Sequence, residues 1–342
     1  MIKQIPGKEG ELMDTWLSIV VIGRNESANL PVLFASLPRK DWLEWIYVDS
    51  GSLDRSVEVA RQAGAAVYLV EPGSVYAAGT GRYVGTLEAR GQWILYLDGD
   101  MVLKEEFVQF MERLRPGAEG REPTLPPGTA AFCGRTINRY LDRDGIVRAE
   151  RNYAVLAQKE MGDPQLWGKI ARYHGGAVLY KREAVLEAGN WNPAVYQLEE
   201  IDLLSRVRAR GGMLRAVDLP MVEHNTPVLS LAEKLKLNFM PSFRGKKLYG
   251  LGQVVSARAI EGGLLSFISV YPQPFVVLGG LLAAVPLFFH CPEAALLLNL
   301  AIALWFGLSK KWYYYLVYLG NLLQMLRGLG RYRRFEPRYR KV

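Results

Sequence analysis

The sequence predicts an α/β domain with a mostly parallel sheet, followed by a helical hairpin in a membrane. Three observations predict it. Short apolar strands alternate with helix-period segments over the first two thirds of the chain. Three of those strands end in polar residues, Asn25, Asp49 and Asp98. From about Gly262 onward the chain is dominated by Leu, Ala, Val and Phe.

The chain has 342 residues and a formal net charge of +8, a length that allows one large or two ordinary domains. Two cysteines, Cys133 and Cys291, are too few for a disulfide framework. The first residues, M-I-K-Q-I-P-G-K-E-G, are polar, so no signal peptide is expected. There is no internal repeat and no long low-complexity tract.

Leu17 to Ile22 (L-S-I-V-V-I) is short, apolar and rich in β-formers, which predicts a first buried strand. Gly23 to Ser27 predicts a turn with helix-capping residues, and Leu30, Leu33, Phe34 and Leu37 recur at helical spacing behind it. Trp45 to Val48 predicts a second strand, ending in Asp49-Ser50-Gly51-Ser52. Ser52 suits the cap of a helix that runs to about Ala63 and stops at Gly64. Ala66 to Val70 predicts a third strand, a helix with Arg82 follows, and Trp93 to Leu97 predicts a fourth strand. This order predicts parallel pairing with right-handed crossovers, and in such sheets ligands sit beyond the carboxyl ends of the strands. Lys104 to Arg115 reads as a surface helix and Pro116 to Gly128 as a loop. Ala130 to Leu141 and Ile146 to Ala154 predict a hairpin around Asp142-Arg143-Asp144-Gly145. Tyr173 to Leu179 predicts another strand, with a double glycine that a ligand could approach.

Asp98-Gly99-Asp100 sets two carboxylates one residue apart at a strand end. Unpaired, they would repel and raise each other's pKa. A divalent cation holding a diphosphate removes that cost, since hard oxygens suit Mg²⁺ or Mn²⁺. Gly99 lets the backbone turn tightly and approach a ligand. The alternative is a simple Asp-Gly turn after a strand. Further on, Leu198-Glu199-Glu200-Ile201-Asp202 opens a helix whose apolar Ile201, Leu204 and Val207 keep helical spacing. Its acids lie in the first turn, and Arg206, Arg208 and Arg210 lie in the later turns, an order that suits the helix dipole and by itself accounts for the acids.

S-I-V-V-I-G-R-N-E-S-A-N-L, V-D-S-G-S-L-D-R-S and G-R-Y-V-G-T-L-E-A-R-G-Q-W-I-L-Y-L-D-G-D are followed by H-G-G-A-V-L-Y-K-R-E-A-V-L-E-A-G-N-W and L-E-E-I-D-L. This order of motifs resembles the family 2 glycosyltransferases, from about Leu17 to Asn225. The resemblance implies the A-type glycosyltransferase fold, a Rossmann-like, mostly parallel sheet. It implies that Asn25, Glu26 and Asp49 hold the nucleotide and that Arg82 approaches the diphosphate. It implies that Asp98 and Asp100 are the metal-binding acids. Asp54 matches the second acid of V-D-x-G-S-x-D, or favours its helix N-terminus only. Family members usually carry Glu-Asp where this chain has Glu199-Glu200, and that Asp is the general base. The base then falls on Glu200, with Glu199 as the alternative, and Asp202 matches the following acid. His224, in V-E-H-N-T, is either a further metal ligand, as in some relatives, or a surface-loop histidine. His174 could touch donor or acceptor, and His290 reads as an interfacial residue at a helix end.

Leu229 to Ile260 interleaves Leu231, Leu235, Phe239 and Phe243 with Lys234, Lys236, Arg244, Lys246 and Lys247. That mixture predicts a segment lying on an anionic membrane surface, with amphipathic helices packed on the catalytic domain as the alternative. Leu264 to Phe289 has no charged residue and would be about 39 Å long as a helix, enough for a hydrocarbon core of roughly 30 Å. Ala294 to Leu308 is again uncharged, and Trp312 to Leu326 is apolar and aromatic. Arg258 flanks one outer end, and Arg327, Arg331, Arg333, Arg334, Arg338, Arg340 and Lys341 flank the other. The positive-inside rule then predicts two spans with both termini cytoplasmic. The expected layout is a catalytic domain over 1–228, an amphipathic interfacial segment over 229–262, a transmembrane hairpin over 263–326 and a basic tail over 327–342. Membrane lipid, not nucleic acid, is the expected partner of that tail.

The expectation is thus a membrane-anchored inverting glycosyltransferase with a divalent metal and a carboxylate base. Its donor would be a nucleoside-diphosphate sugar, and its acceptor lipid-linked or a membrane-proximal saccharide. The chain lacks a Q-x-x-R-W pattern, which favours transfer of one sugar over processive synthesis. A non-catalytic sugar-nucleotide-binding membrane scaffold competes with this expectation; it would bind donor without turnover. A nucleotidyltransferase would carry a glycine-rich basic loop near its N-terminus, which G-R-N-E-S matches poorly.

Overall fold

The computed structural model of the chain describes residues 15–117, 125–141, 147–153, 169–170, 175–240, 242–243, 246–247, 249–291 and 312–342, with isolated positions between 293 and 304. The four expected strands form as β1 (Leu17–Gly23), β2 (Leu43–Asp49), β3 (Ala66–Val70) and β4 (Trp93–Asp98). β1 pairs in parallel with β2 and β4, and β2 with β3. The crossovers are α1 (Leu30–Ser36), α2 (Ser56–Gln62) and α3 (Ala78–Glu88). These strands read as unbroken apolar runs because both faces of the sheet are covered. Val20, Ile22, Ile94 and Tyr96 face one core, and Ile19, Val21, Leu95 and Leu97 face the other.

The second half of the sheet is mixed. It is built from β5 (Met101–Leu103), β6 (Thr129–Leu141), β7 (Val147–Tyr153), β8 (Lys169–Ile170), β9 (Val178–Lys181) and β10 (Met213–Pro227). β9 lies antiparallel between β4 and β6, and β10 runs parallel to β6 while accepting β5 antiparallel on its far edge. The expected hairpin forms between β6 and β7. The helices here are α4 (Glu105–Leu114), α5 (Arg182–Glu187) and α6 (Glu199–Arg208). His174 lies outside the described residues.

The C-terminal part departs from the expected hairpin. It consists of α7 (Leu231–Phe239), α8 (Gly250–Glu261), α9 (Leu264–Val270), α10 (Gln273–His290) and α11 (Trp312–Gly328), with a two-residue ribbon, β11 (Ser242–Phe243) and β12 (Lys246–Lys247), after α7. The apolar run expected as one long helix breaks at Tyr271 and Pro272. A proline lacks the N–H that an uninterrupted helix needs and is best placed in a first turn, where Pro274 sits, although α10 also continues past Pro286. Among the described residues no helix is long and apolar enough to cross a membrane. The stretch expected as a second span, 294–308, lies mostly outside the described residues.

Much of this region belongs to the core of the sheet domain. Leu251 and Val254 of α8, Phe267 and Val270 of α9, and Leu322 and Met325 of α11 share one apolar cluster with Leu203 and Leu204 of α6. The Ser266 hydroxyl donates to the Ser205 carbonyl at 2.7 Å, which ties α9 to α6. Arg258, expected beside lipid headgroups, is buried. The basic tail ends in β13 (Tyr339–Lys341), antiparallel to β3, so the order across the sheet is β13-β3-β2-β1-β4-β9-β6-β10-β5. An edge strand offers a free row of N–H and C=O groups, and the tail fills it. Tyr339 donates to Glu88 at 2.7 Å and fixes the addition.

α8 and α11 cross backbone to backbone at Gly252 and Gly328. A Cβ on Gly252 would sit 2.6 Å from the Gly328 Cα and run into the Met325 carbonyl. Gly252→Ala should therefore destabilise the chain by roughly 1–3 kcal/mol through overpacking. A denaturant melt checks this, and an unchanged midpoint would contradict so close a crossing.

Candidate active site

The loop after β1 is laced to the loop after β2. Asn25 takes a left-handed backbone (φ 60°), its N–H donates to Ser52 Oγ at 2.8 Å, and its side-chain oxygen accepts from the Leu53 N–H at 2.8 Å. The Glu26 N–H donates to Ser56 Oγ at 2.7 Å, and the Ser27 N–H to Asp54 at 3.0 Å. Asp49 is buried and shapes its own turn, accepting from the Gly51 and Ser52 N–H groups at 3.0 and 2.8 Å and from the Ser52 hydroxyl. Asn25, Glu26 and Asp49 are thus brought together at the strand ends, with Asn25 and Asp49 fixing the shape of the loops. Asp54 links two loops as well as starting α2, since it also accepts from the Ser56 N–H at 3.0 Å.

Arg82 occupies the middle of the site. α3 carries it against β1 because Gly81 and Gly85 leave no Cβ between the helix and Ile22 and Val20. Its guanidinium is 1% exposed and lies over the Trp191 ring at 5.0 Å. One terminal nitrogen holds Asp98 at 2.8 Å; the other holds Glu199 at 2.8 Å and reaches Glu200 at 3.5 Å. Burial works against the charge on Arg82, but Asp98, Glu200 and Glu199 outweigh it and keep the guanidinium protonated. The Arg82 nitrogens engage protein carboxylates, because a buried cation must be paired.

The two glutamates differ in surroundings. Leu198 precedes them in a left-handed conformation (φ 64°) and turns the start of α6 into the site. The Glu199 side chain is 6% exposed and that of Glu200 22%. Burial and the neighbouring Glu200 push the Glu199 pKa up, to about 8, against the pull of Arg82.

Asp100 and His224 meet at the open end of the sheet. The pairing of β5 with β10 places His224 opposite Met101, and the imidazole Nε2 lies 3.1 Å from the Asp100 carboxylate. Asn138 Oδ1, from the neighbouring β6, lies 3.0 Å from Nδ1 and orients the ring. Glu26 completes the acidic edge. Burial raises its pKa, the Asn29 hydrogen bond opposes this, and the charges of Asp100, Asp98 and Asp54 raise it further. Gly99 lets the D-G-D turn pass Glu26, where a Cβ would come within 2.8 Å of the Glu26 Cγ.

These groups fit a divalent cation. Carboxylates are the donors that Mg²⁺ and Mn²⁺ prefer, and one imidazole tilts the choice toward Mn²⁺. Among the described residues no set of three His, Cys, Asp or Glu closes around one point.

Asp202 is a correction. It is fully buried and bound by Arg206 and Arg258, at 2.8 and 2.9 Å. It lies in the same helix turn as Glu199 but its side chain faces the core, so it anchors α6 to α8. Sequence reasoning missed Asn138, whose register beside His224 spans 86 residues. It also missed Trp191 under Arg82. Gly176, of the double glycine, lies close to the site: a Cβ there would strike the Asp98 carboxylate.

The fold is an α/β arrangement on a mixed sheet, like that of the A-type glycosyltransferases. Residues 18–120 match the model of glycosyl transferase family 2. A stretch of 108 residues is 32% identical to 4,4'-diaponeurosporenoate glycosyltransferase of Staphylococcus haemolyticus (strain JCSC1435), covering 29% of this chain and 28% of that protein. The mannosyltransferase PcManGT from Pyrobaculum calidifontis, solved in complex with GDP-Man and Mn²⁺, is similar with a TM-score of 0.52 and 18% identity, over 92% of this chain and 87% of that chain. S. aureus TarS 1-349 gives a TM-score of 0.47 and 14% identity, over 90% of both chains. Residues 18–120 are thus similar to family 2 glycosyl transferases, and PcManGT has a similar fold.

Glu199 holds its proton more tightly in the folded chain than at its ordinary pKa of 4.5. The stability this contributes is full below the unfolded pKa and is lost as pH rises through the folded one. Glu199→Gln keeps the neutral shape and should flatten the fall in unfolding free energy between about pH 5 and about pH 8. Urea melts at both pH values test it, and parallel losses in wild type and variant would count against the raised pKa.

Proposed function

We propose that this chain is a membrane-proximal inverting glycosyltransferase that moves one sugar from a nucleoside-diphosphate sugar to a hydroxyl of a lipid-linked or saccharide acceptor. One observation carries this reading. Asp98, Glu199 and Glu200 converge on Arg82 beside the Asp100–His224 pair, at the carboxyl ends of the parallel strands. The family 2 match over residues 18–120 supports it, and PcManGT, in complex with GDP-Man and Mn²⁺, supports a nucleoside-diphosphate donor.

The donor diphosphate would lie against the loops that Asn25 and Asp49 shape. Asp98, Asp100 and His224 would hold a divalent metal, Mn²⁺ or Mg²⁺, which when bound supplies positive charge toward the leaving diphosphate. Glu200 is the base. It is the more exposed of the two glutamates and the less tightly held by Arg82. It takes the proton of the acceptor hydroxyl as the acceptor oxygen bonds to the anomeric carbon. The bond from that carbon to the diphosphate oxygen breaks, and its electron pair leaves with the nucleoside diphosphate. Glu199 and Arg82 are positioning residues that fix the start of α6 against Asp98.

Exposed Ile260, Leu265, Leu282, Phe289 and Leu326 on the C-terminal helices support a bilayer-facing side. A lipid-linked acceptor would meet the site there, with the chain on the cytoplasmic side, where sugar nucleotides are made.

Calorimetry with UDP and GDP, in Mn²⁺ and in chelator, tests the donor site. One nucleotide should bind in a metal-dependent way, and Asp100→Ala should abolish that binding; equal binding by the folded variant would sink the assignment. Glu200→Gln should bind donor normally yet lose about 10²- to 10⁴-fold in kcat. Full turnover by that variant would move the base elsewhere, and donor binding without turnover in wild type, across an acceptor panel, would favour a scaffold.

A further inference from the structure

A cavity of about 430 Å³ is lined by the end of α6, the end of α8 and the C-terminal tail, and the proposed reaction makes no use of it. The last turns of α6 form its floor, and the tail from Tyr332 to Glu336 closes its outer side. Its volume suits a small organic ligand. Four arginines line it, Arg206, Arg210, Arg258 and Arg334, against Glu261 and Glu336. The inner charges are spoken for. Arg206 and Arg258 hold Asp202, and Glu261 accepts from Arg258 at 2.7 Å and from the Tyr332 hydroxyl at 2.5 Å. Arg210 and Arg334 are exposed, and of the two lining glutamates only Glu336 is left to balance them. Between this cationic mouth and the ion-paired floor, Tyr83 and Phe335 are the part-exposed aromatic residues that line the cavity.

We propose that this cavity binds a small amphiphilic anion, its oxyanion head toward Arg210 and Arg334 and its apolar body against Tyr83 and Phe335. Arginine is suited to such a head because its planar fork pairs with phosphate or carboxylate oxygens at two points. The inference goes beyond sugar transfer and does not depend on it.

Phenyl phosphate and benzoate, titrated separately at constant ionic strength and followed by tryptophan fluorescence and calorimetry, test the proposal. At least one should bind saturably, and which one binds identifies the head. The double variant Arg210→Ala/Arg334→Ala, with exposed positions that leave the core untouched, should weaken binding at least tenfold. Arg210→Lys/Arg334→Lys should recover part of the loss. Asp100→Ala should bind the probe as wild type does, which separates this cavity from the donor site even if the donor assignment fails. No saturable binding of either probe, or unchanged affinity in the double alanine variant, would overturn the proposal.

Discussion

The site depends on one buried guanidinium. Arg82 is enclosed by Asp98 from β4, Glu199 and Glu200 from α6 and the face of Trp191. Taking a cation out of water is costly, and removing one partner of a buried pair typically costs roughly 3–5 kcal/mol. Arg82 therefore does more than neutralise acids. It fixes a sheet strand and a helix start relative to each other, and the helix start carries the two glutamates. The left-handed Leu198 is part of that arrangement, a strained residue held where a functional helix begins.

A second ion cluster repeats the pattern one turn further along α6. Asp202 binds Arg206 within its own helix and Arg258 from α8. Arg206 also donates to the carbonyls of Ala188 and Asn190, which pins the loop that carries Trp191. The acids of α6 thus divide by direction. Those on one side face the open end of the sheet, and the one on the other side welds the C-terminal helices to the sheet domain. Gly252 and Gly328 strengthen the weld by letting two helix backbones touch.

Much of the site was legible in the sequence. The apolar runs at Leu17, Trp45, Ala66 and Trp93 became parallel strands because their periodicity and length admit little else, and the polar residues that end them fell on one edge. The acid pair Asp98 and Asp100 stood out for the same reason. The roles of individual acids were less legible. Asp202 and Glu199 are neighbours in a helical turn with the same chemistry, and only the direction of each side chain separates an anchor from a site residue.

The sequence by itself determined the parallel half-sheet, the order of its crossovers and the strand-end acids, because each is encoded within a few consecutive residues. Tertiary structure alone decided the rest. The meeting of Asp100 with His224 depends on pairing 124 residues apart, and the position of Asn138 depends on the same β10 register. Burial of Arg258 and the addition of the basic tail to β3 depend on which surfaces the folded sheet leaves uncovered. A charge or an apolar stripe in a sequence states what it needs, a partner or a cover. Which one it obtains, lipid or protein, is fixed only when distant segments compete for the same face.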